Sequence, residues 1–317
     1  MDIKNGHDDF YIKEGCAVTI GKFDGVHTGH RKLITDVVDR AKVSGIRSCV
    51  ITIEGFPGKK KDEPDSSGIE SQPVKKLTTL EEKKKIIEDL GVDLLVVFSF
   101  DEELLKMNPY AFIDSILMDK LNMQSVTIGP DFRFGHKRYG KAMTFVKAAM
   151  IYGYGVNVLD EEEYNDRPVS STRIRTALSE GDLDTANKLL GRNYSVSGVT
   201  KSGDKIGRKL GFPTMNIYPE EDKLLPPFGV YSTEVSIGGR TYRSVTNVGV
   251  RPTVSNNENN VSVESHLLDF KSYGESDYDK PIIVYFKYKI RDEKRFSSEN
   301  ELSDQIKKDI EYLKNNA

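Results

Sequence analysis

The chain of 317 residues has no tryptophan and only two cysteines, Cys16 and Cys49. Both lie in apolar stretches, and two thiols are too few for the disulfide scaffold of a small secreted domain. No stretch approaches the roughly 18 apolar residues that a membrane-spanning helix needs. The first residues, M-D-I-K-N-G-H-D-D-F, are too polar and acidic for a signal peptide. Neither sign of charge dominates. Against 49 acidic side chains stand 46 basic ones, a net charge of −3, which removes the general electrostatic case for nucleic acid or an anionic membrane as partner. No G-x-x-x-x-G-K-[ST] run occurs, so a Walker-type phosphate cradle is excluded. What is present is 37% hydrophobic and 9% aromatic residues, enough for packed cores. Domains of about 100–200 residues make two the expected number, in a cytoplasmic protein.

The first half alternates strand-like and helix-like segments. Residues 16–20 (C-A-V-T-I), 48–53 (S-C-V-I-T-I), the run from Val92 (V-D-L-L-V-V-F-S-F) and the run from Ser125 (S-V-T-I-G) read as strands. Leu33, Ile34, Val37, Val38 and Ala41 are spaced as one helix face, and Phe112, Ile113, Ile116 and Leu117 as another. Thr79 and Glu82 form a capping box for a helix that Gly91 stops. Such alternation predicts a parallel sheet covered by helices. Residues 58–72 are polar and without period, a loop that serves as a lid or is disordered.

Near residue 190 the pattern changes. Residues 230–235 and 242–248, joined by Ile237-Gly238-Gly239, read as a hairpin, with further strands at 261–270 and 281–290. No helical period is expected before Ser298, which caps a terminal helix with Glu301 at the box position and Leu302, Ile306, Ile310 and Leu313 on its apolar face. The second half is therefore expected to be a closed or nearly closed antiparallel sheet with a terminal helix. The boundary is placed within 181–191, giving domains 1–185 and 186–317.

Two segments carry phosphate chemistry. In G-K-F-D-G-V-H-T-G-H (21–30), His27 and His30 follow a strand and open a helix. Both can point at one phosphate near that helix N-terminus and donate to charge that develops during transfer. In S-S-T-R-I-R (170–175), Arg173 and Arg175 are expected in the first turn of a helix, where cations oppose the dipole unless an anion binds between them. Each has an ordinary reading, surface histidines in one case and solvated arginines in the other.

With G-P-D-F-R-F-G (129–135), these segments resemble the adenylyltransferase module of prokaryotic bifunctional riboflavin kinase/FAD synthetases. In the second half, G-R-K-L-G-F-P-T-M-N (207–216), L-P-P-F-G-V-Y (225–231), N-V-G-V-R-P-T (247–253), V-E-S-H-L-L-D-F (263–270) and K-I-R-D-E-K-R-F (289–296) resemble the riboflavin kinase module. The resemblance covers nearly the whole chain in the family's order. It implies a Rossmann-like α/β nucleotidyltransferase domain followed by a mainly antiparallel β-barrel kinase domain, with riboflavin, FMN and ATP as substrates and Mg2+ as cofactor. Gly21, Phe23, Asp24, Gly29, Ser171, Thr172, Arg173 and Arg175 then bind ATP beside His27 and His30, and Asp131, Phe132 and Arg133 hold flavin. In the kinase module Gly203, Gly207, Arg208, Lys209, Gly211, Phe212 and Pro213 bind ATP. Thr214 and Asn216 hold the metal, Asn247 and Arg251 the flavin, and Glu264 is the base for the 5′-hydroxyl. A spacing of four between Gly203, Gly207 and Gly211 fits a flexible phosphate loop. The Thr214 and Asn216 oxygens, on one side of an extended segment, suit a hard cation that keeps its waters.

Departures from the family pattern fall mainly in the first module. Lys22 replaces the usual Asn, and Phe56 precedes Pro57 where P-H-P is usual. Lys only donates and adds a charge beside the phosphates. Smaller changes are Met215 for Ala and Val254 for an aromatic. Adenylylation is accordingly expected to be slower than phosphorylation. A kinase with an inactive first module and a flavin-sensing regulator are the alternatives. Intact Thr214, Asn216 and Glu264 argue against the regulator, which needs neither a magnesium site nor a base.

Overall fold

Six short strands of the first half form one fully parallel sheet in the computed structural model, which describes residues 1–55, 74–202, 206–250, 261–272, 274 and 277–316. The chain divides into two units, Met1–Ser170 and Ser171–Ala317. Outside the described residues lie Phe56, Pro57 and the 58–72 loop, Gly203, Arg251 and Val254.

In the first unit the elements run β1 (Asp2–Asn5), β2 (Cys16–Gly21), α1 (Thr28–Ser44), β3 (Arg47–Glu54), α2 (Leu80–Asp89), β4 (Leu94–Ser99), α3 (Glu102–Lys106) and α4 (Pro109–Phe112). The last continues as a π-helix over Ile113–Met118, followed by β5 (Met123–Ile128), α5 (Ala142–Tyr152) and β6 (Gly155–Val158). The sheet order is β1-β4-β3-β2-β5-β6. Four strands match those read from the sequence. The two edges, D-I-K-N and G-V-N-V, do not, because an edge strand needs few apolar residues. Alternate residues face opposite layers. Val18, Ile20, Cys49 and Ile51 pack with Ile113, Leu117 and Phe145, while Val50 and Leu95 pack with Ile34 and Ile87 of α1 and α2. Each such burial contributes about 1.5–3 kcal/mol against exposure. From β2 the chain moves outward to β3 and β4 on one side, whereas β5 and β6 lie on the other. The carboxyl ends of β2 and β5 therefore flank a topological switch point, where open parallel sheets bind their ligands.

The second unit contains α6 (Ser171–Ser179), α7 (Leu183–Leu190), β7 (Tyr194–Val199), α8 (Ile206–Lys209), β8 (Met215–Ile217), β9 (Gly229–Ile237), β10 (Arg240–Val250), β11 (Val261–Leu267), β12 (Pro281–Arg291) and α9 (Glu299–Asn315). The one-turn α8 and the strands β7 and β8 go beyond the sequence reading; they are too short, or too polar, to carry a period. All pairings are antiparallel, in the order β7-β12-β9-β10-β11-β8. The β9–β10 hairpin turns on Gly238 and Gly239, both at positive φ (55° and 76°), as a two-residue type I′ loop requires. The sheet curls until its outer strands meet at one bridge, where the Lys201 amide donates to the Asn216 carbonyl at 2.8 Å. Tyr194, Tyr231 and Phe286 fill the barrel, and a line of buried hydroxyls (Ser244, Thr233, Thr246, Ser265) satisfies itself at 2.6–2.7 Å. On the outside, Ile310 and Leu313 of α9 pack against Val230, Val245 and Leu268. Asp309, buried on α9, accepts Arg291 of β12 at 2.8–3.0 Å. Ser298 caps α9 as read, but the Glu301 carboxylate reaches back to Ser297 rather than closing a box with Ser298.

Candidate functional site

The first site grows from the segment between β2 and α1. Phe23 (φ 48°) and Val26 (φ 39°) both hold positive φ, which costs on the order of 1–3 kcal/mol for a residue with a branched or bulky side chain. Burial compensates: both side chains plug the core between the sheet and α1. A Cβ on Gly21 would stand 3.0 Å from the Phe23 ring, so a side chain at the strand end would crowd that plug. This twisted path delivers His27 as the N-cap of α1, its Nδ1 accepting from the His30 amide at 3.3 Å. The two imidazoles stack with centroids 3.5 Å apart, and Phe23 meets His30 edge-on. The His27 ring lies against Gly29 in the first turn, where an added Cβ would come within about van der Waals contact, 3.4 Å, of it.

Asp24 accepts from the backbone amides of Leu77 and Thr78 at 3.0–3.2 Å, so its carboxylate anchors the chain leading into α2. Sequence reasoning missed Lys83. Within the run E-E-K-K-K it looks like a solvated charge, yet it is 3% exposed. Its ammonium donates to the Lys22 carbonyl at 2.7 Å and to Thr52 Oγ1 at 3.1 Å, and pairs with Glu54. Lys22 itself is exposed at the strand end. Beyond β5, Phe132 and Phe134 stack on one another and Phe134 on Phe145, fixing the turn that carries Asp131, exposed, and Arg133, half-buried. A Cβ on Gly135 would strike Pro109 at 2.8 Å, and its φ of 70° also requires glycine. The His27 and Asp131–Arg133 segments thus leave the neighbouring strands β2 and β5 at the switch point.

In the second unit α6 starts at Ser171 itself. Thr172 and Arg173 fall in its first turn, and Arg175 opens the second turn rather than sharing the first.

The barrel site is built on strands. Across β8, β11 and β10 the register places Asn216 opposite Glu264, and Glu264 opposite Asn247. Three side chains singled out for metal, base and flavin therefore form one row on the outer face. Asn216 is 4% exposed and, among the described residues, its Oδ1 has no hydrogen-bond partner. A buried orphan oxygen normally carries a desolvation penalty of about 1–3 kcal/mol, so it is poised for a ligand. Thr214 lies two residues before it, half-buried. No three His, Cys, Asp or Glu side chains converge as a metal cage among the described residues. These donors therefore fit a hard cation that takes its remaining ligands from water and phosphate.

The segment 207–214 is held beside this row. The Phe212 amide donates to the Gly207 carbonyl at 2.7 Å, and a Cβ on Gly207 would collide with the Phe212 carbonyl. Gly211 has φ 88°. Arg208 and Lys209 are exposed on α8. His266, also missed, donates from Nδ1 to the Pro213 carbonyl at 2.8 Å, tying G-F-P-T to β11. Burial pushes its imidazole below the ordinary value against the pull of that hydrogen bond, so the ring is neutral. Ser262, the third overlooked residue, donates to Glu264 Oε1 at 3.0 Å. Strand alternation puts residue i−2 on the same face, so this contact was legible in principle.

A strained loop and helix N-terminus at a parallel switch point, and a row of polar side chains on a curled antiparallel sheet, are the two candidate sites of a two-module transferase. Family models for FAD synthetase and riboflavin kinase match residues 10–173 and 190–317. The chain is 35% identical to a bifunctional riboflavin kinase/FMN adenylyltransferase from Buchnera aphidicola, with 98% of this chain and 97% of that one covered. To the Bacillus subtilis protein of the same name it is 34% identical (98% and 97% covered), and to that of Escherichia coli K12 35% (94% and 91%). The chain belongs to the bifunctional riboflavin kinase/FMN adenylyltransferase family. A crystal structure of a macrolide-efflux protein from Streptococcus pneumoniae is also similar, with TM-score 0.81 and 26% identity over 98% of this chain and 97% of that one. Among the described residues no helix here is long and apolar enough to cross a membrane.

Proposed function

We propose that the barrel unit transfers the γ-phosphoryl group of ATP to the 5′-hydroxyl of riboflavin, giving FMN and ADP. The first unit joins the AMP moiety of ATP to FMN, giving FAD and diphosphate. The chain is both a riboflavin kinase and an FMN adenylyltransferase, working in the cytoplasm, with functional domains 1–185 and 186–317. What supports the kinase assignment above all is the Asn216–Glu264–Asn247 row.

In this reading Glu264 takes the proton of the attacking hydroxyl while Asn247 orients the flavin, joined there by Arg251. Thr214 and Asn216 hold Mg2+, which when bound neutralises charge on the ATP phosphates. The phosphates themselves lie on the loop of Gly203, Gly207, Arg208, Lys209, Gly211, Phe212 and Pro213, whose backbone can approach closely because its glycines carry no Cβ. For adenylylation, His27 and His30 donate to phosphate oxygens at the α1 N-terminus, where the helix dipole favours anions. Gly21, Phe23, Asp24 and Gly29 shape that cradle, and Asp131, Phe132 and Arg133 contact the flavin. Ser171, Thr172, Arg173 and Arg175 serve as anion contacts at the start of α6.

Incubation with Mg-ATP, started once from riboflavin and once from FMN, with chromatographic separation of riboflavin, FMN and FAD, tests this. FMN and FAD are expected from the first run and FAD from the second. No FMN from riboflavin would remove the kinase, and no FAD from FMN would leave a monofunctional enzyme.

A further inference from the structure

Glu264 is held unsymmetrically. Its Oε1 accepts from the Ser262 hydroxyl at 3.0 Å, while Oε2 has no hydrogen-bond partner among the described residues. Ser262 is 2% exposed, so its hydroxyl is dry and competes with no water for that contact. Its register partner on β10 is Gly249, which has no side chain of its own and is covered by the Glu293 carboxylate, yet the hydroxyl bonds to Glu264. The hydroxyl's single proton thus points along the strand to the carboxylate two residues on. We infer that Ser262 is a positioning residue for phosphoryl transfer: it pins Oε1 and thereby presents Oε2 to the riboflavin hydroxyl. The inference rests on Glu264 being the base. A carboxylate free to rotate about its terminal torsion spreads its acceptor lone pairs over a broad two-fold well. One anchored oxygen confines the other to the geometry that proton transfer needs.

The test is a double-mutant cycle on FMN formation. Ser262→Ala should lower kcat about tenfold, the scale of one hydrogen bond to a charged group, with KM for riboflavin and ATP unchanged. Ser262→Thr, which keeps the hydroxyl, should restore most of the rate. In a Glu264→Ala background, Ser262→Ala should cost nothing further, because there is no carboxylate left to position. A merely structural serine would lower the melting temperature or raise KM and would act equally in both backgrounds. Wild-type kcat in Ser262→Ala, an equal loss in both backgrounds, or a well-folded threonine variant without rescue would each overturn the inference. Glu264→Ala that still makes FMN at the normal rate would instead remove the base itself, and with it the reading on which this rests.

Discussion

The two candidate sites are built in opposite ways. In the barrel, the groups sit on paired strands, and the antiparallel ladder sets their spacing with no strain at Asn216, Glu264 or Asn247. In the parallel unit, the groups sit on a loop kept in shape by two buried plugs at positive φ, an aspartate anchor and a buried ammonium. Strand-built sites are rigid because their scaffold is the fold. Loop-built sites are rigid only while each anchor holds. Substitutions in the barrel row should therefore change rate with little effect on stability, whereas those around the loop should change both.

The sharpest test of this contrast is Glu264→Ala. Loss of a general base costs about 10²–10⁴-fold, so FMN production should fall by that factor while FAD formation from FMN and the melting temperature barely move. Chromatography from each starting flavin measures both, and normal FMN output would show that the row is not the kinase site. Thr214→Val preserves shape but removes an oxygen. If that oxygen binds the cation, kinase turnover should drop roughly 10²-fold, with partial recovery at high magnesium; a magnesium titration of kcat decides this.

The loop's dependence on its anchors is tested by Lys83→Met. Removing one member of a buried ion pair costs about 3–5 kcal/mol; because Glu54 is partly exposed, the lower end is expected. The Lys22 carbonyl also loses a donor. FAD synthesis should fall about tenfold and the thermal transition should shift down, with FMN synthesis intact. A variant with full FAD synthesis and an unchanged melting temperature would show that the loop does not need its ammonium clamp.

The smallest expected effect is a gain. The Lys22 ammonium can hold phosphates as firmly in the ground state as in the transition state, which adds no rate. Lys22→Asn should raise FAD output a few-fold and leave the kinase alone. No gain in a well-folded variant would show that the adenylylation rate is set elsewhere.

The contrast also explains what could be read in advance. Alternation and helical spacing exposed four of six parallel strands and the long strands of the barrel, because those segments bury apolar faces. Edge strands such as D-I-K-N bury almost nothing and leave no pattern. Residues within a recognisable motif, such as Glu264 or His27, become candidates through that motif. Lys83 does not, since its partners come from segments 29 and 61 residues away and nothing local distinguishes a buried lysine from its solvated neighbours. Ser262 lay between the two cases, visible once the strand period and the base were both assigned.

Among the described residues one bridge joins the outer strands of the barrel. The Asn216 carbonyl accepts the Lys201 amide while its side chain lies in the row with Glu264, so one residue is both the clasp of the barrel and a candidate ligand. Local opening of that seam and loss of the ligand are then one thermodynamic event. Any species that binds the Asn216 side chain must, by linkage, suppress the opening. The exchange rate of the Lys201 amide becomes a built-in gauge of occupancy, which should slow when a ligand binds the side chain of the same Asn216.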